Sequence, residues 1–225
     1  RQRSAQADGT AGPPMTSTNS ATAQDYPAHL CVTKPWVTNL ILPRLLALAP
    51  TGDWLDAGCG SGSIADACAA GGASVAGCDL LHVPTLRGSE PPWSWYQCDF
   101  LTENRLRAVP WSCIITNPSF TLADKPPTSR YIAAYDGPMR FISRALELAP
   151  VVACLHRCSW WHEPQEERKR FRAWLRANFR TEQVTIGRHN FYPHGSGDSS
   201  TYVWTIVSPG PGGPTQQYEM PHEQR

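Results

Sequence analysis

The run Asp56-Ala57-Gly58-Cys59-Gly60-Ser61-Gly62 constrains this chain more than any other part of it. It follows a short apolar stretch, Asp53 to Ala57, that reads as a strand, and it opens a stretch from Ser63 to about Ala70 that reads as a helix. Three glycines between a strand and a helix let backbone N–H groups and the positive end of the helix approach a ligand closely. A strand that turns at once into a helix belongs to parallel α/β architecture, where each crossover helix packs back on the sheet.

The remainder of the chain supports that class. A helix is expected from Pro35 to Leu48, with proline at its start and Pro50 just past its end. Further strands are expected at Ser74 to Asp79, Trp95 to Cys98, Cys113 to Thr116, Val151 to His156, Gln183 to Gly187 and Thr201 to Val207. Helices are expected near Pro138 to Leu148 and Gln165 to Asn178, and a proline-containing loop between Thr121 and Tyr135. Seven strands with interleaved helices, the last two close in sequence, imply a mostly parallel seven-stranded sheet with an antiparallel last strand and helices on both faces. Residues 1–24 and 209–225 are rich in Ser, Thr, Gln, Gly and Pro and are expected to be flexible tails around one domain at 25–208.

With 41% hydrophobic residues and 9 Trp in 225 positions, the chain has enough apolar side chain for a core. The longest apolar run, Leu40 to Ala49, is broken by Pro43 and Arg44 and is far shorter than the roughly 20 residues of a membrane span. The 8 cysteines lie singly, several inside apolar runs, which fits core thiols and a reducing, cytoplasmic setting. A net charge of +1 gives no global footprint for nucleic acid, so any such surface is local. Around one expected helix, Arg168, Lys169, Arg170, Arg172, Arg176 and Arg180 outnumber Glu163, Glu166 and Glu167; a basic face and a plain solvated helix with Phe171, Trp174 and Leu175 inward both fit. Cys154, His156, Cys158 and His162 are close in sequence, but their spacing matches no zinc pattern, and no metal is expected.

Two acids follow the glycine loop at strand ends. Asp79 ends the second expected strand, where a carboxylate can accept hydrogen bonds from ribose hydroxyls. Asp99 ends the third, beside Phe100, a pair suited to an adenine ring. A nicotinamide-binding unit shares this first half, but its fingerprint asks for glycine where Ser63 stands. The pattern Asp-x-Gly-x-Gly-x-Gly from Asp56 to Gly62 instead resembles the first motif of class I S-adenosylmethionine-dependent methyltransferases. That resemblance implies a Rossmann-like α/β fold and S-adenosylmethionine as cofactor. Asp56, Gly58, Gly60 and Gly62 would then form the loop around its methionine moiety, Asp79 would hold ribose, and Asp99 with Phe100 adenine. Upstream, Thr33-Lys34-Pro35-Trp36 resembles the segment that closes over the cofactor in these enzymes, which implies that Thr33 touches the methionine end.

The fourth strand ends in Thr116-Asn117-Pro118-Ser119-Phe120. This resembles the Asn/Asp-Pro-Pro-Tyr/Phe motif of methyltransferases that alkylate planar amino groups, chiefly adenine N6 and also glutamine N5. An exocyclic amine delocalises its lone pair into the ring and attacks poorly while planar. Two acceptors, the Asn117 side-chain oxygen and the Pro118 carbonyl, would take its two hydrogens and favour a pyramidal nitrogen, while Phe120 would stack on the base. Ser119 departs from the family pattern, where a second proline is usual. The resemblance extends to small phage and bacterial DNA methyltransferases, and the first substrate it implies is adenine N6 in DNA, with the base flipped out or already unpaired. RNA adenine and protein glutamine stay open, as does a degenerate module that binds without turnover. No separate target-recognition domain is expected within these 225 residues, and a monomer is the default expectation.

Overall fold

Alternation of apolar side chains along the strands decides the layering. In β4 (Cys113–Thr116) and β5 (Val151–Arg157), Cys113, Ile115, Val151, Ala153 and Leu155 belong to one buried cluster, and Ile114, Val152 and Cys154 to another. Strands apolar on both faces need cover on both sides. On the first face lie α1 (Pro35–Asn39), α2 (Leu42–Leu48) and α3 (Ser63–Ala70), contributing Val37, Leu45 and Ile64. On the second lie α5 (Arg130–Leu146), α6 (Cys158–His162) and α7 (Glu166–Asn178), contributing Phe141, Ile142, Trp160, Trp161 and Leu175. A short helix, α4 (Val83–Arg87), and a 3₁₀ helix (Asn104–Ala108) follow the second and third strands. The computed structural model describes residues 32–118, 130–162, 164–188 and 200–219.

The other strands are β1 (Asp53–Ala57), β2 (Ser74–Asp79), β3 (Ser94–Gln97), β6 (Arg180–Arg188), β7 (Thr201–Ser208) and β8 (Gln216–Glu219). They join β4 and β5 in one sheet of order β3-β2-β1-β4-β5-β7-β6-β8. Strand β7 runs antiparallel to both its neighbours, β5 and β6, and every other pairing is parallel. The chain builds outward from β1 to β3 and then returns to lay β4 on the other side of β1. At such a reversal the crossover helices diverge to opposite faces, opening a crevice beyond the carboxyl ends of the strands. The glycine loop after β1 and the Asn117-Pro118 segment after β4 both lie at that edge, because β1 and β4 are in register, with Ala57 opposite Thr116.

Three expectations are corrected. The sheet has eight strands rather than seven, since Gln216–Glu219, placed by composition in a flexible tail, pairs parallel with Glu182–Thr185 of β6. An edge strand draws its binding from backbone hydrogen bonds and needs little apolar side chain, so its polar composition hid it. The single helix expected from Pro35 to Leu48 is two, because Pro43 has no N–H and its ring clashes with the carbonyl four residues back, at Asn39, where α1 ends. On α7, Leu175 is buried and Phe171 packs on the core as expected, but Trp174 is exposed, and Arg168 lies buried 5.9 Å from the Trp160 ring.

Candidate active site

The turn after β1 is shaped by three glycines with φ of 70°, 54° and 85° at Gly58, Gly60 and Gly62. A side chain disfavours that left-handed region by about 1–2 kcal/mol, which accounts for glycine at each position. The N–H groups of Gly58 and Cys59 donate to the Cys78 carbonyl at 2.8 and 3.0 Å, tying the loop to the end of β2. Gly62 meets a second demand: a Cβ there would overlap the indole of Trp93. The same indole lies 2.5 Å from where a Cβ at Gly77 would stand. Trp93 Nε1 donates to Asp66 Oδ1 at 2.9 Å, and Arg87 Nη1 bridges Asp66 Oδ2 at 2.5 Å and the Ser61 carbonyl at 3.1 Å. This Trp93–Asp66–Arg87 group clamps the loop from outside; nothing in the linear pattern signalled it.

Asp79 meets the loop as expected from its place at the end of β2. Its Oδ2 accepts the Gly60 N–H at 2.8 Å and its Oδ1 the Leu81 N–H at 3.0 Å. A carboxylate offers about four lone-pair sites, so with the Leu80 N–H also directed at it capacity for one further donor is left. Burial raises the Asp79 pKa, opposed by hydrogen bonds from the Leu81, Gly60 and Leu80 backbone. Asp56 lies beneath the loop and is 0% exposed. Its Oδ2 accepts the Ala65 N–H in the first turn of α3 at 3.0 Å, and its Oδ1 is buried without a hydrogen-bond partner among the described residues. In this arrangement Asp56 supports the loop rather than facing a ligand, a correction to its expected cofactor contact.

Burial pushes the Asp56 pKa to about 8 from an ordinary 3.8, with Asp79 and Asp66 adding to the rise and the Ala65 N–H opposing it. An acid whose pKa is raised by folding holds a proton that the open chain releases. Its stability contribution is complete below about pH 4 and is lost as pH rises toward about 8, at up to about 1.4 kcal/mol per unit. Asp56→Asn keeps an acceptor for Ala65 and cannot ionise. We therefore expect it to reduce the fall in stability between pH 5 and pH 8, with the remainder coming from Asp79, in urea melts across that range. A variant curve parallel to that of the wild type would contradict this assignment.

Beyond Asp79 a cleft of about 230 Å³ is lined by Leu80, Gln97, Cys98, Asp99, Thr102, Glu103 and Asn104. Asp99 lines it, and its oxygens accept the Leu101 N–H at 2.9 Å and the Thr102 hydroxyl at 3.1 Å. Phe100 does not line it: the ring is 3% exposed and stacks on Phe141 with centroids 5.2 Å apart. The apolar side chain presented at the cleft is Leu80, 52% exposed, directly after Asp79. A leucine directly after a strand-end acid was the only local signal for it in the sequence.

Across the crevice, Thr116 Oγ1 donates to the Ala57 carbonyl at 2.6 Å and pins the end of β4 to the end of β1. Asn117 follows, half-buried, with buried Pro118 next to it; Ser119 and Phe120 lie outside the described residues. Asn117 Nδ2 donates to Thr33 Oγ1 at 3.0 Å, which leaves Oδ1 as its acceptor atom. Thr33 is 1% exposed, so its expected contact with a methionine moiety gives way to one with Asn117. The expected basic face is partly committed elsewhere: Arg176 bonds Thr215, and Arg180 bonds Glu182 and Gln216. The ring nitrogens of His156 are taken by the Arg157 carbonyl at 2.9 Å and Thr205 Oγ1 at 2.7 Å, and burial lowers its pKa to about 4. Among the described residues no group of three or more His, Cys, Asp or Glu is placed to hold a metal ion, and no helix is long and apolar enough to cross a membrane.

No family model and no curated protein sequence matches the chain. Solved structures do match in fold. A candidate class I S-adenosylmethionine-dependent methyltransferase of Listeria monocytogenes superposes with a TM-score of 0.60 at 9% identity, over 88% of this chain and 68% of its own. A candidate RNA methyltransferase of Pyrococcus horikoshii superposes with a TM-score of 0.55 at 17% identity, over 77% of this chain and 83% of its own. The methyltransferase subunit of a Streptococcus thermophilus type I restriction-modification system reaches 0.58 at 13% identity over 81% of this chain, which spans 46% of that subunit. The fold of this chain is the class I S-adenosylmethionine-dependent methyltransferase fold.

Proposed function

We propose that this chain is an S-adenosylmethionine-dependent methyltransferase acting on an exocyclic amino nitrogen, with adenine N6 in DNA as its substrate. The observation that carries the reading is the placement of Asn117 beside the glycine loop, at the end of β4, with its Oδ1 as acceptor. The residues around the crevice fit the cofactor. The loop turns at Gly58, Gly60 and Gly62 at the edge of the crevice, Asp79 retains a lone pair for ribose, and the cleft at Asp99 and Leu80 suits a flat heterocycle.

When bound, S-adenosylmethionine supplies an electrophilic methyl on a sulfonium sulfur, opposite an in-line nucleophile. Asn117 Oδ1 and the Pro118 carbonyl would accept the two amine hydrogens and hold the nitrogen lone pair toward that methyl. In such a transfer the sulfonium would leave as a neutral thioether, and the surplus proton of the amine held at Asn117 Oδ1 and the Pro118 carbonyl would pass to solvent. Asp79 would fix the ribose, and Leu80 would cover one face of the adenine. DNA as the substrate draws support from the type I modification subunit that shares the fold, and Arg170, exposed on α7, offers a phosphate contact.

The test is transfer of labelled methyl to duplex DNA, single-stranded DNA, RNA and a protein extract in parallel, with modified residues identified by mass spectrometry. N6-methyladenine in DNA is the expected product. Label in RNA or in protein glutamine would keep the mechanism and replace the substrate. Cofactor binding without transfer would point to a degenerate module, and binding of NAD(H) instead would overturn the reading. In the same preparation, Asp79→Ala should weaken S-adenosylmethionine binding by roughly 10- to 100-fold by calorimetry, the scale of a lost charge-assisted hydrogen bond. Unchanged affinity would remove Asp79 from the ribose site.

A further inference from the structure

We infer that Arg144 is a positioning residue for recognition of the cofactor's adenine: from α5 it holds both ends of the turn that carries Asp99, and so sets where that carboxylate meets the 6-amino group. The inference rests on the reading above, in that it takes the cleft at Asp99 as the adenine site. It concerns the cofactor alone and is independent of the acceptor.

The turn from Asp99 to Glu103 belongs to no strand or helix. Its own bonds fix its shape: the Asp99 carboxylate accepts the Leu101 N–H and the Thr102 hydroxyl, and the Asp99 carbonyl accepts the Glu103 N–H at 2.8 Å. None of these bonds fixes its place against the sheet. One face of α5 does so. Phe141 stacks on Phe100, and one turn further on Arg144 donates from Nε to the Phe100 carbonyl at 3.4 Å and from Nη2 to the Glu103 carbonyl at 2.9 Å. Guanidinium nitrogens only donate and carbonyl oxygens only accept, so the direction of both bonds is unambiguous. Nε and Nη2 share one edge of a rigid fork, which sets the spacing of the two carbonyls as well. The remaining nitrogen, Nη1, donates to Glu147 Oε2 at 2.7 Å and balances the charge of a side chain that is 7% exposed. Arginine is rarely buried to this extent unless paired. The turn supplies Asp99, Thr102 and Glu103 to the cleft, while Leu80 and Gln97 come from the ends of β2 and β3. A shift of the turn therefore changes the gap in which the heterocycle lies.

Arg144→Lys keeps a charge for Glu147 and loses the fork. By calorimetry, S-adenosylhomocysteine, which undergoes no transfer, should bind roughly 5- to 30-fold more weakly to the variant, the scale of a lost buried hydrogen bond. The analogue with hydrogen in place of the 6-amino group gives Asp99 nothing to hold. Its affinity should change by less than about two-fold, so the preference of the wild type for the amino-bearing ligand collapses in the variant. Hydrogen exchange reads the turn directly: the Leu101 and Glu103 amides should exchange faster in Arg144→Lys, with those of β1 and β4 unchanged. Should Arg144→Lys fold poorly, Arg144→Met fills the same space without donors, leaves Glu147 its bond to Arg107, and carries the same expectations.

An equal loss for the two ligands would describe a general defect of the site and overturn the inference, as would unchanged affinity for S-adenosylhomocysteine. Both results leave the proposed function standing. A wild type that binds the two ligands equally would remove Asp99 from the amino group and overturn the inference while keeping the cofactor. Should the wild type bind no S-adenosylhomocysteine, the proposed function has failed and the inference falls with it.

Discussion

Replacing Asn117 with Ala is expected to lower methyl transfer by at least roughly 100- to 1,000-fold, the scale seen when one acceptor or donor aimed at the reacting atoms is lost. Affinity for S-adenosylmethionine should change by less than about three-fold. The asymmetry follows from the site. Asn117 bonds Thr33 and touches neither Asp79 nor the glycine loop through a hydrogen bond among those described. Its half-buried side chain stands beyond the last paired residue of β4, so truncation costs little core packing. Single-turnover rates and calorimetric binding measured on one preparation check both halves. Parallel loss of transfer and cofactor binding would make Asn117 a structural residue. Asn117→Asp, which retains an acceptor, should keep measurable transfer, which separates loss of the oxygen from disturbance of the loop.

What could be read from the linear chain depends on whether the signal is local. The strand-to-helix turn at Asp56 to Gly62 was legible because glycine alone satisfies positive φ at Gly58, Gly60 and Gly62, and that demand leaves a visible pattern. Asp79 was legible because a polar residue ending an apolar strand must sit at its carboxyl edge, and its bond to the Gly60 N–H is a direct result. Side-chain direction beyond a strand end was not. Asp99 turns the chain by accepting the Leu101 N–H, and that turn sends Phe100 into the core against Phe141, while Leu80 is left at the cleft. Adjacency in sequence made Phe100 look like the adenine platform, but a turn, unlike a strand, has no fixed alternation to reason from. Thr33 was found by resemblance and assigned to the wrong neighbour, because contact with Asn117 depends on how α1 docks against the sheet. The break at Pro43 was within reach of the sequence, since proline inside a helical run interrupts it.

Gly62→Ala is the second substitution with a large expected effect, and here two costs add. The φ of 85° at this position strains any residue with a Cβ by about 1–2 kcal/mol. The new methyl would also collide with the Trp93 ring, which cannot retreat freely: its Nε1 is bonded to Asp66, the opposite indole edge approaches Gly77, and the side chain is buried. Forced overpacking of this kind costs about 1–3 kcal/mol. Together they predict a loss of about 2–5 kcal/mol of stability, with the glycine loop displaced and cofactor affinity down by more than about 10-fold. Trp93→Phe separates the two contributions. A phenyl ring vacates the space that the methyl needs, so Gly62→Ala in that background should cost only the backbone strain, about 1–2 kcal/mol. Equal penalties in the two backgrounds, measured by urea denaturation, would mean that Trp93 does not shape the loop and that the third glycine answers to backbone conformation alone.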